Sequence, residues 1–157
     1  MDELGLGKAS VYSYIPYQGL AFNLDETTVN ADRHKLFRKR IKVCDDLVSH
    51  RGKPDEIEKL WAAILAFEGY AFQTSGRGNR PGVKFSYVIR RGANGEPTGE
   101  IKFSTKEKTV TRATVELAYR KAVEVQEREG CVTGPKKMDV FGASYLYSMF
   151  IRFGVIC

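Results

Sequence analysis

The sequence predicts an α+β fold in which about four helices pack against a small antiparallel β-hairpin or sheet, with an N-terminal arm. Apolar residues recur at helical spacing on both sides of a central stretch, and within that stretch they alternate with polar residues. A parallel sheet would require strands and helices to alternate along the chain, and in this sequence they do not. We expect an aromatic arm (1–30), a basic helix with its linker (31–53) and an α+β core domain (54–157).

The arm and the first helix come first in the chain. In the arm, aromatic side chains lie among glycines and a proline. Asn30 is a suitable N-cap for a helix over about residues 31–48. The apolar residues of this helix recur at roughly helical spacing, which predicts a buried stripe. They are Leu36, Phe37, Ile41, Cys44, Leu47 and Val48.

A linker over residues 49–53 leads to a second predicted helix. Pro54 is tolerated in its first turn, where a missing N–H does no harm, and Gly69 is a natural end. The residues predicted to face the core are Leu60, Trp61, Ile64, Leu65 and Phe67.

The central stretch predicts a β-hairpin. A short strand over residues 70–74 and a glycine-rich loop over 75–82 precede it. Apolar and polar residues then alternate over 83–91, with Phe85, Tyr87 and Ile89 on one side. The same pattern returns over 100–104 after a turn rich in glycine.

Two further helices complete the prediction. Thr109 or a neighbouring threonine caps a helix over about residues 110–129, which Gly130 ends. Its predicted buried stripe is Val110, Ala113, Leu117, Ala118, Ala122 and Val125. The last helix covers about residues 142–153, and its predicted core residues are Tyr145, Leu146, Met149, Phe150 and Phe153.

The bulk composition bounds the partners and the compartment. The formal net charge is +6 and the pI about 9.2, which favours anionic partners, nucleic acid first. Cys44, Cys131 and Cys157 are odd in number and widely spaced, which favours reduced thiols over a disulfide framework. The most apolar stretch, residues 141–157, is short and interrupted by polar residues. We therefore expect a cytoplasmic protein without a membrane partner.

Basic side chains cluster in three segments, and each cluster can neutralise phosphates. The first helix presents an almost purely positive run, and a charged solvent face on an ordinary helix is the alternative. Its candidate contacts are Arg33, Lys35, Arg38, Lys39, Arg40 and Lys42. Glycines and arginines in the loop and hairpin suit close approach to phosphate oxygens, although a flexible surface loop would look the same. The candidates there are Arg77, Arg80, Lys84, Arg90 and Arg91.

The third cluster lies at the predicted start of the long helix, where free N–H groups and the helix dipole favour anions. Threonine capping alone also explains much of this segment. Its candidates are Lys106, Lys108 and Arg112.

Catalytic patterns are incomplete. His34 and His50 have no neighbouring Cys, Asp or Glu at convincing ligand spacing, so we expect no metal site and no cofactor. Glu100 and Lys102 have the Glu-x-Lys form of metal-dependent nucleases, but a second acid on the preceding strand is missing. An exposed cross-strand charge pair is the simpler interpretation of these two residues.

Three segments resemble a small uncharacterised protein family that is associated with phages and mobile elements of Gram-positive gut bacteria. They are residues 104–115, residues 134–137 and residues 141–147, and the resemblance covers roughly residues 57–156. It implies a setting, since accessory proteins of phages often bind DNA or inhibit host nucleic-acid machinery. It implies no activity and no functional residues, and the basic helix lies outside it.

The leading hypothesis is a non-enzymatic nucleic-acid-binding accessory or regulatory protein, with DNA favoured over RNA as the partner. The alternative is a protein-binding inhibitor or adaptor that acts on a host nucleic-acid-handling complex. A metal-dependent nuclease is a weaker third hypothesis.

Overall fold

The computed structural model describes residues 19–76, 78–107 and 109–157, with side chains from residue 30 onward. Within these residues the chain forms four α-helices, a short 3₁₀ helix and two small antiparallel sheets, which confirms the predicted α+β class. None of the described helices has the length and apolar character needed to cross a membrane. The predicted arm lies outside the described residues up to residue 18.

The helices are α1 Gly19–Ser49, α2 Glu56–Ala66, α3 Arg112–Glu129 and α4 Ala143–Phe153, with a 3₁₀ turn at Pro135–Met138. The strands are β1 Phe72–Gln73, β2 Lys84–Phe85, β3 Tyr87–Arg91, β4 Pro97–Phe103 and β5 Thr109–Val110. The chain consists of two compact units, of which the first ends at Ile41 and the second is Lys42–Cys157.

Helix α1 begins at Gly19, well before the predicted start at residue 31. Neither glycine nor proline occurs between Gly19 and Gly52, so nothing in the local sequence interrupts the helix at Asn30. The predicted end of the helix is right to within one residue. Residues 19–30 of the predicted arm are therefore helical backbone.

The predicted apolar stripe of α1 is buried only near its end. Leu47 is 0% exposed and belongs to the core of the second unit. The prediction of a buried stripe is wrong for four residues that are 40–56% exposed: Leu36, Phe37, Ile41 and Val48. Helical spacing shows that apolar residues share one face of the helix, but it does not show whether another element packs against that face.

The predicted strand over residues 83–91 is divided at Ser86 between two sheets. Strand β2 pairs with β1, where Phe85 is opposite Phe72, while β3 pairs with β4. The Ser86 N–H donates to the hydroxyl of Ser104 (3.1 Å) rather than to a strand carbonyl, which ends the regular ladder there. The predicted alternation holds across the division, because Phe85, Tyr87 and Ile89 are all buried.

Helix α3 begins after a short strand that was not predicted from the sequence. Thr109–Val110 pairs with β4, with Val110 opposite Ile101. The N-cap is Thr111, whose hydroxyl accepts the N–H of Thr114 at 3.3 Å. The predicted helical stripe included Val110, which is buried but lies in a strand, and its members Ala118, Ala122 and Val125 are buried as predicted. Ala113 and Leu117 are exposed, and the buried residues of α3 are Val115, Ala118, Tyr119, Ala122 and Val125.

The core of the second unit is rich in aromatic rings. The ring centroids of Phe85 and Tyr145 are 4.8 Å apart, and those of Phe103 and Tyr145 are 4.7 Å apart. All five predicted core residues of α4 are buried, which confirms that helix, and α4 packs against α3 and β1. In α2, four of the five predicted residues are buried and Leu65 is exposed.

Candidate nucleic-acid interface

The exposed basic face of α1 consists of Lys35, Arg38 and Lys39. Their spacing of three and four residues puts them on one face of the helix, and all three are exposed. Arg33 is exposed as well. Within the described residues these four cations make no ion pair.

The remaining cations of this cluster are engaged within the chain. Arg40 is partly buried. The ammonium group of Lys42 lies 3.2 Å from the carboxylate of Asp46, one turn further along the helix. An exposed pair of this kind is weak, yet it lowers the local positive potential at this end of the cluster.

The glycine-rich loop before β2 closes on itself through backbone contacts. A Cβ on Gly82 would lie 1.6 Å from the carbonyl oxygen of Thr74, so only glycine fits there. The hydroxyl of Thr74 accepts the Val83 N–H at 2.8 Å, which fixes the same junction. The need for Gly82 is therefore explained by loop closure, without a phosphate. Arg77 lies outside the described residues, while Arg80 and Lys84 are exposed.

The two hairpin arginines of the predicted interface are each paired with a carboxylate. Arg90 lies 3.4 Å from Glu100, and Arg91 lies 3.3 Å from Glu68. The other oxygen of Glu68 accepts the N–H of Ile89 at 2.8 Å, so this carboxylate also satisfies a backbone donor of β3. Much of the charge that these arginines bring is therefore compensated inside the second unit.

Arg112 is held at the start of α3 by two side chains. Its guanidinium lies 2.7 Å from Glu116 and 5.0 Å from the ring centre of Trp61. The indole N–H of Trp61 donates to the same carboxylate at 3.0 Å. Burial by itself would raise the pKa of Glu116, but the hydrogen bonds from Trp61 and Arg112 outweigh it and lower that pKa.

Of the two lysines predicted at the helix start, Lys106 lies in a different place. Lys106 precedes β5 rather than α3, and its ammonium is 5.9 Å from the ring centre of Tyr145. Lys108 lies outside the described residues. Among the described candidates for the anion seat, only Arg112 lies in the first turn of α3.

Both side chains of the Glu-x-Lys pair of the nuclease hypothesis form hydrogen bonds within the protein. The carboxylate of Glu100 accepts a hydrogen bond from the guanidinium of Arg90. The ammonium of Lys102 donates to the carbonyl of Lys106 at 2.7 Å. In the described part of the chain no group of three or more His, Cys, Asp and Glu side chains could hold a metal ion.

Two side-chain arrangements were not predicted from the sequence. The guanidinium of Arg152 stacks on Phe67 and Tyr70, at 5.4 and 5.2 Å from the ring centres, and donates to the Tyr70 hydroxyl at 2.9 Å. Cys131 and Cys157, far apart in sequence, are neighbours in space. Both depend on contacts between distant segments, which local patterns do not encode.

Comparisons with protein-family models, curated proteins and solved structures gave no match to this chain.

Proposed function

We propose that this chain is a non-enzymatic nucleic-acid-binding accessory or regulatory protein whose α1 segment contacts the phosphate backbone through Lys35, Arg38 and Lys39. One observation carries the proposal: these cations share an exposed face and have no acidic partner among the described residues. Unpaired cations can replace the counterions of a polyanion, and the release of those counterions drives binding.

The shape of α1 supports the same partner. A helix with its side chains is about 10–12 Å wide, and the major groove of B-form DNA is about 12 Å wide. Phosphate contacts position a protein without reading sequence, so we propose general affinity for duplex DNA. The phage and mobile-element setting implied by the resemblance is consistent with such an accessory role in a bacterial cytoplasm.

The test is a fluorescence-anisotropy titration of labelled duplex DNA, single-stranded DNA and RNA at several salt concentrations. We compare the wild type with the triple variant Lys35→Gln, Arg38→Gln, Lys39→Gln. If each residue neutralises one phosphate, the slope of log affinity against log salt becomes shallower by about 3 for the variant on duplex DNA.

The matched control is Arg90→Gln, Arg91→Gln, Arg112→Gln, which removes the same charge from paired arginines. We expect it to change the slope by less than about 1, because those cations already have carboxylate partners. Equal effects of the two triple variants would show that net charge alone attracts the nucleic acid. No binding by the wild type at low salt would refute the proposed function.

A protein-binding inhibitor or adaptor is the second candidate, and exposed apolar residues favour it. Phe37 and Ile41 are one turn apart on α1, so they form an apolar face that could enter a groove on a host nucleic-acid-handling complex. In that case Phe37→Ala with Ile41→Ala would abolish a complex that survives nuclease treatment. Binding to DNA would be unchanged in the same variant.

A further inference from the structure

The end of α3 and the last residue of the chain bring two thiols together. Cys131 follows Gly130, the C-cap of α3. Its thiol donates to the carbonyl oxygen of Cys157 at 2.8 Å. The thiol of Cys157 in turn lies 3.2 Å from the carbonyl oxygen of Gly130. Each cysteine thus contacts the backbone at or beside the other, although 26 positions separate them.

Neighbouring groups hold Cys157 in this position. The side-chain amide of Gln126 accepts the Cys157 N–H at 3.1 Å, and its amino group lies 3.4 Å from the sulfur. Val155 and Ile156 are buried in the core, and Arg51 donates to the carbonyl of Val155. The side chain of Cys157 remains exposed while its backbone is anchored.

We propose that Cys131 and Cys157 form a site of oxidative modification, at which a peroxide converts the two thiols into an intramolecular disulfide. The site is independent of the proposed nucleic-acid interface. It needs only the two sulfurs, an anchored backbone and access for a small oxidant, and all three are present here.

The surroundings give the two cysteines different roles. The hydrogen bond between the thiols lowers the pKa of Cys157, and the amide of Gln126 acts in the same direction. The same bond between the thiols raises the pKa of Cys131, and burial adds to that shift. Cys157 is also the more exposed thiol of the two, so a peroxide reaches it more readily. Cys157 is therefore the better source of thiolate, which is the form that attacks a peroxide.

The chemistry takes two balanced steps. The Cys157 thiolate attacks one oxygen of hydrogen peroxide, the O–O bond breaks, and the departing hydroxide takes up a proton to leave as water, with Cys157 as sulfenic acid. The Cys131 thiol then attacks that sulfur, the S–O bond breaks, and a second water leaves with the thiol proton. The two thiols lose two electrons and two protons, and the peroxide is reduced to two waters.

Cys44 provides an internal comparison. It is partly buried on α1, and burial raises the pKa of its thiol despite the nearby Arg152. A raised pKa means that less of the Cys44 thiol is ionised at neutral pH. We expect Cys44 to remain a thiol while the other two are oxidised.

The experiment uses the full-length protein, reduced and then freed of reductant. It is treated with a small excess of hydrogen peroxide, alkylated with N-ethylmaleimide and digested with trypsin without reduction. We expect a monomer in which the peptides carrying Cys131 and Cys157 are joined, two hydrogen atoms lighter than their sum, with Cys44 alkylated. Alkylation of all three cysteines, or linkage only between separate molecules, would overturn the proposal.

Variants test the roles of the two thiols. Cys131→Ser should leave a sulfenic acid at Cys157 that dimedone traps, whereas Cys157→Ser should leave Cys131 unoxidised. The control Cys44→Ser should form the same disulfide as the wild type. Equal trapping at Cys44 and Cys157 in the Cys131→Ser variant would contradict the assigned roles. The peptide map of the wild type decides the proposal even if a variant fails to fold.

Discussion

The basic residues of α1 and those of the second unit differ in what surrounds them. Lys35, Arg38 and Lys39 are exposed on one helix face without carboxylate partners in the described chain. Arg90, Arg91 and Arg112 each face a glutamate. All six contribute equally to the net charge, but only the first three present uncompensated charge. The arrangement of charge, more than its total, therefore indicates where an anion would bind.

Apolar residues show the same contrast between the two regions. Phe37 on α1 is more than half exposed, whereas Phe150 on α4 is fully buried and lies with its ring centre 5.6 Å from that of Tyr119. The second unit is held together by such contacts. The described part of α1 before Lys42 has little buried apolar surface of its own.

The largest expected effect tests this contrast with one substitution in each region. Phe150→Ala should lower the free energy of unfolding by about 3–5 kcal/mol, because it leaves a cavity in the core. Phe37→Ala should change it by less than about 0.5 kcal/mol, since the ring is mostly in solvent. Urea denaturation followed by tryptophan fluorescence measures both. Similar losses in the two variants would mean that Phe37 is covered in solution.

A second pair of variants compares two glycines of the loop before β2. Gly82→Ala should destabilise the protein by about 2 kcal/mol or more, because its Cβ would overlap the carbonyl of Thr74. Gly78→Ala has open space and should cost only about 1 kcal/mol, for the positive φ of 59°. Thermal unfolding followed by circular dichroism compares them. If Gly82→Ala were the milder change, the loop would not close as described.

The third prediction concerns Glu116 and the pH dependence of stability. Because its pKa is lowered in the folded state, its contribution is present above about pH 4.5 and is lost as the pH falls through the lower folded value. Glu116→Gln should lower stability at neutral pH by about 0.5–1 kcal/mol, because hydrogen bonds to a charged group are replaced by neutral ones at a site where solvent screens the charge. Urea midpoints measured from neutral to acidic pH should converge for the two proteins. Parallel curves would exclude this role for Glu116.

The smallest expected changes in stability come from two exposed arginines, one with a carboxylate partner and one without, which should differ in DNA binding. Arg90→Gln and Arg38→Gln should each alter stability by less than about 0.5 kcal/mol, because both side chains are exposed. On duplex DNA, Arg38→Gln should reduce the salt slope by about 1 and Arg90→Gln by much less. The reverse order would move the interface from α1 to the hairpin.

Local patterns were sufficient for the elements whose neighbours are close in sequence. The alternation around Tyr87 and around Ile101 predicted the hairpin, because strand partners joined by a short turn share one buried face. Gly130 and Gly154 mark the ends of α3 and α4, where both adopt a left-handed conformation. Local patterns failed at the start of α3, where β5 was hidden, because a two-residue strand has no periodicity of its own.

The candidate site was predicted only in part, since a charge pattern does not show its partners. The run from Arg33 to Lys39 could be found as a basic segment, because its residues are adjacent and share one helix. The glutamates that engage Arg90 and Arg91 could not be assigned, because a basic residue in a strand can face several acids. Glu68 is 23 positions from Arg91 in the chain.

The α+β class, the approximate helices and the hairpin could be predicted from the sequence, because they follow from backbone preferences and from the periodicity of neighbouring residues. The positive charge follows directly from the composition. The tertiary structure alone decided that Ser86 divides one predicted strand between two sheets, that Arg112 is held by Trp61 and Glu116, and that Cys131 meets Cys157. These arrangements depend on contacts between segments that are not adjacent in the chain, and their geometry is fixed only when the whole core packs.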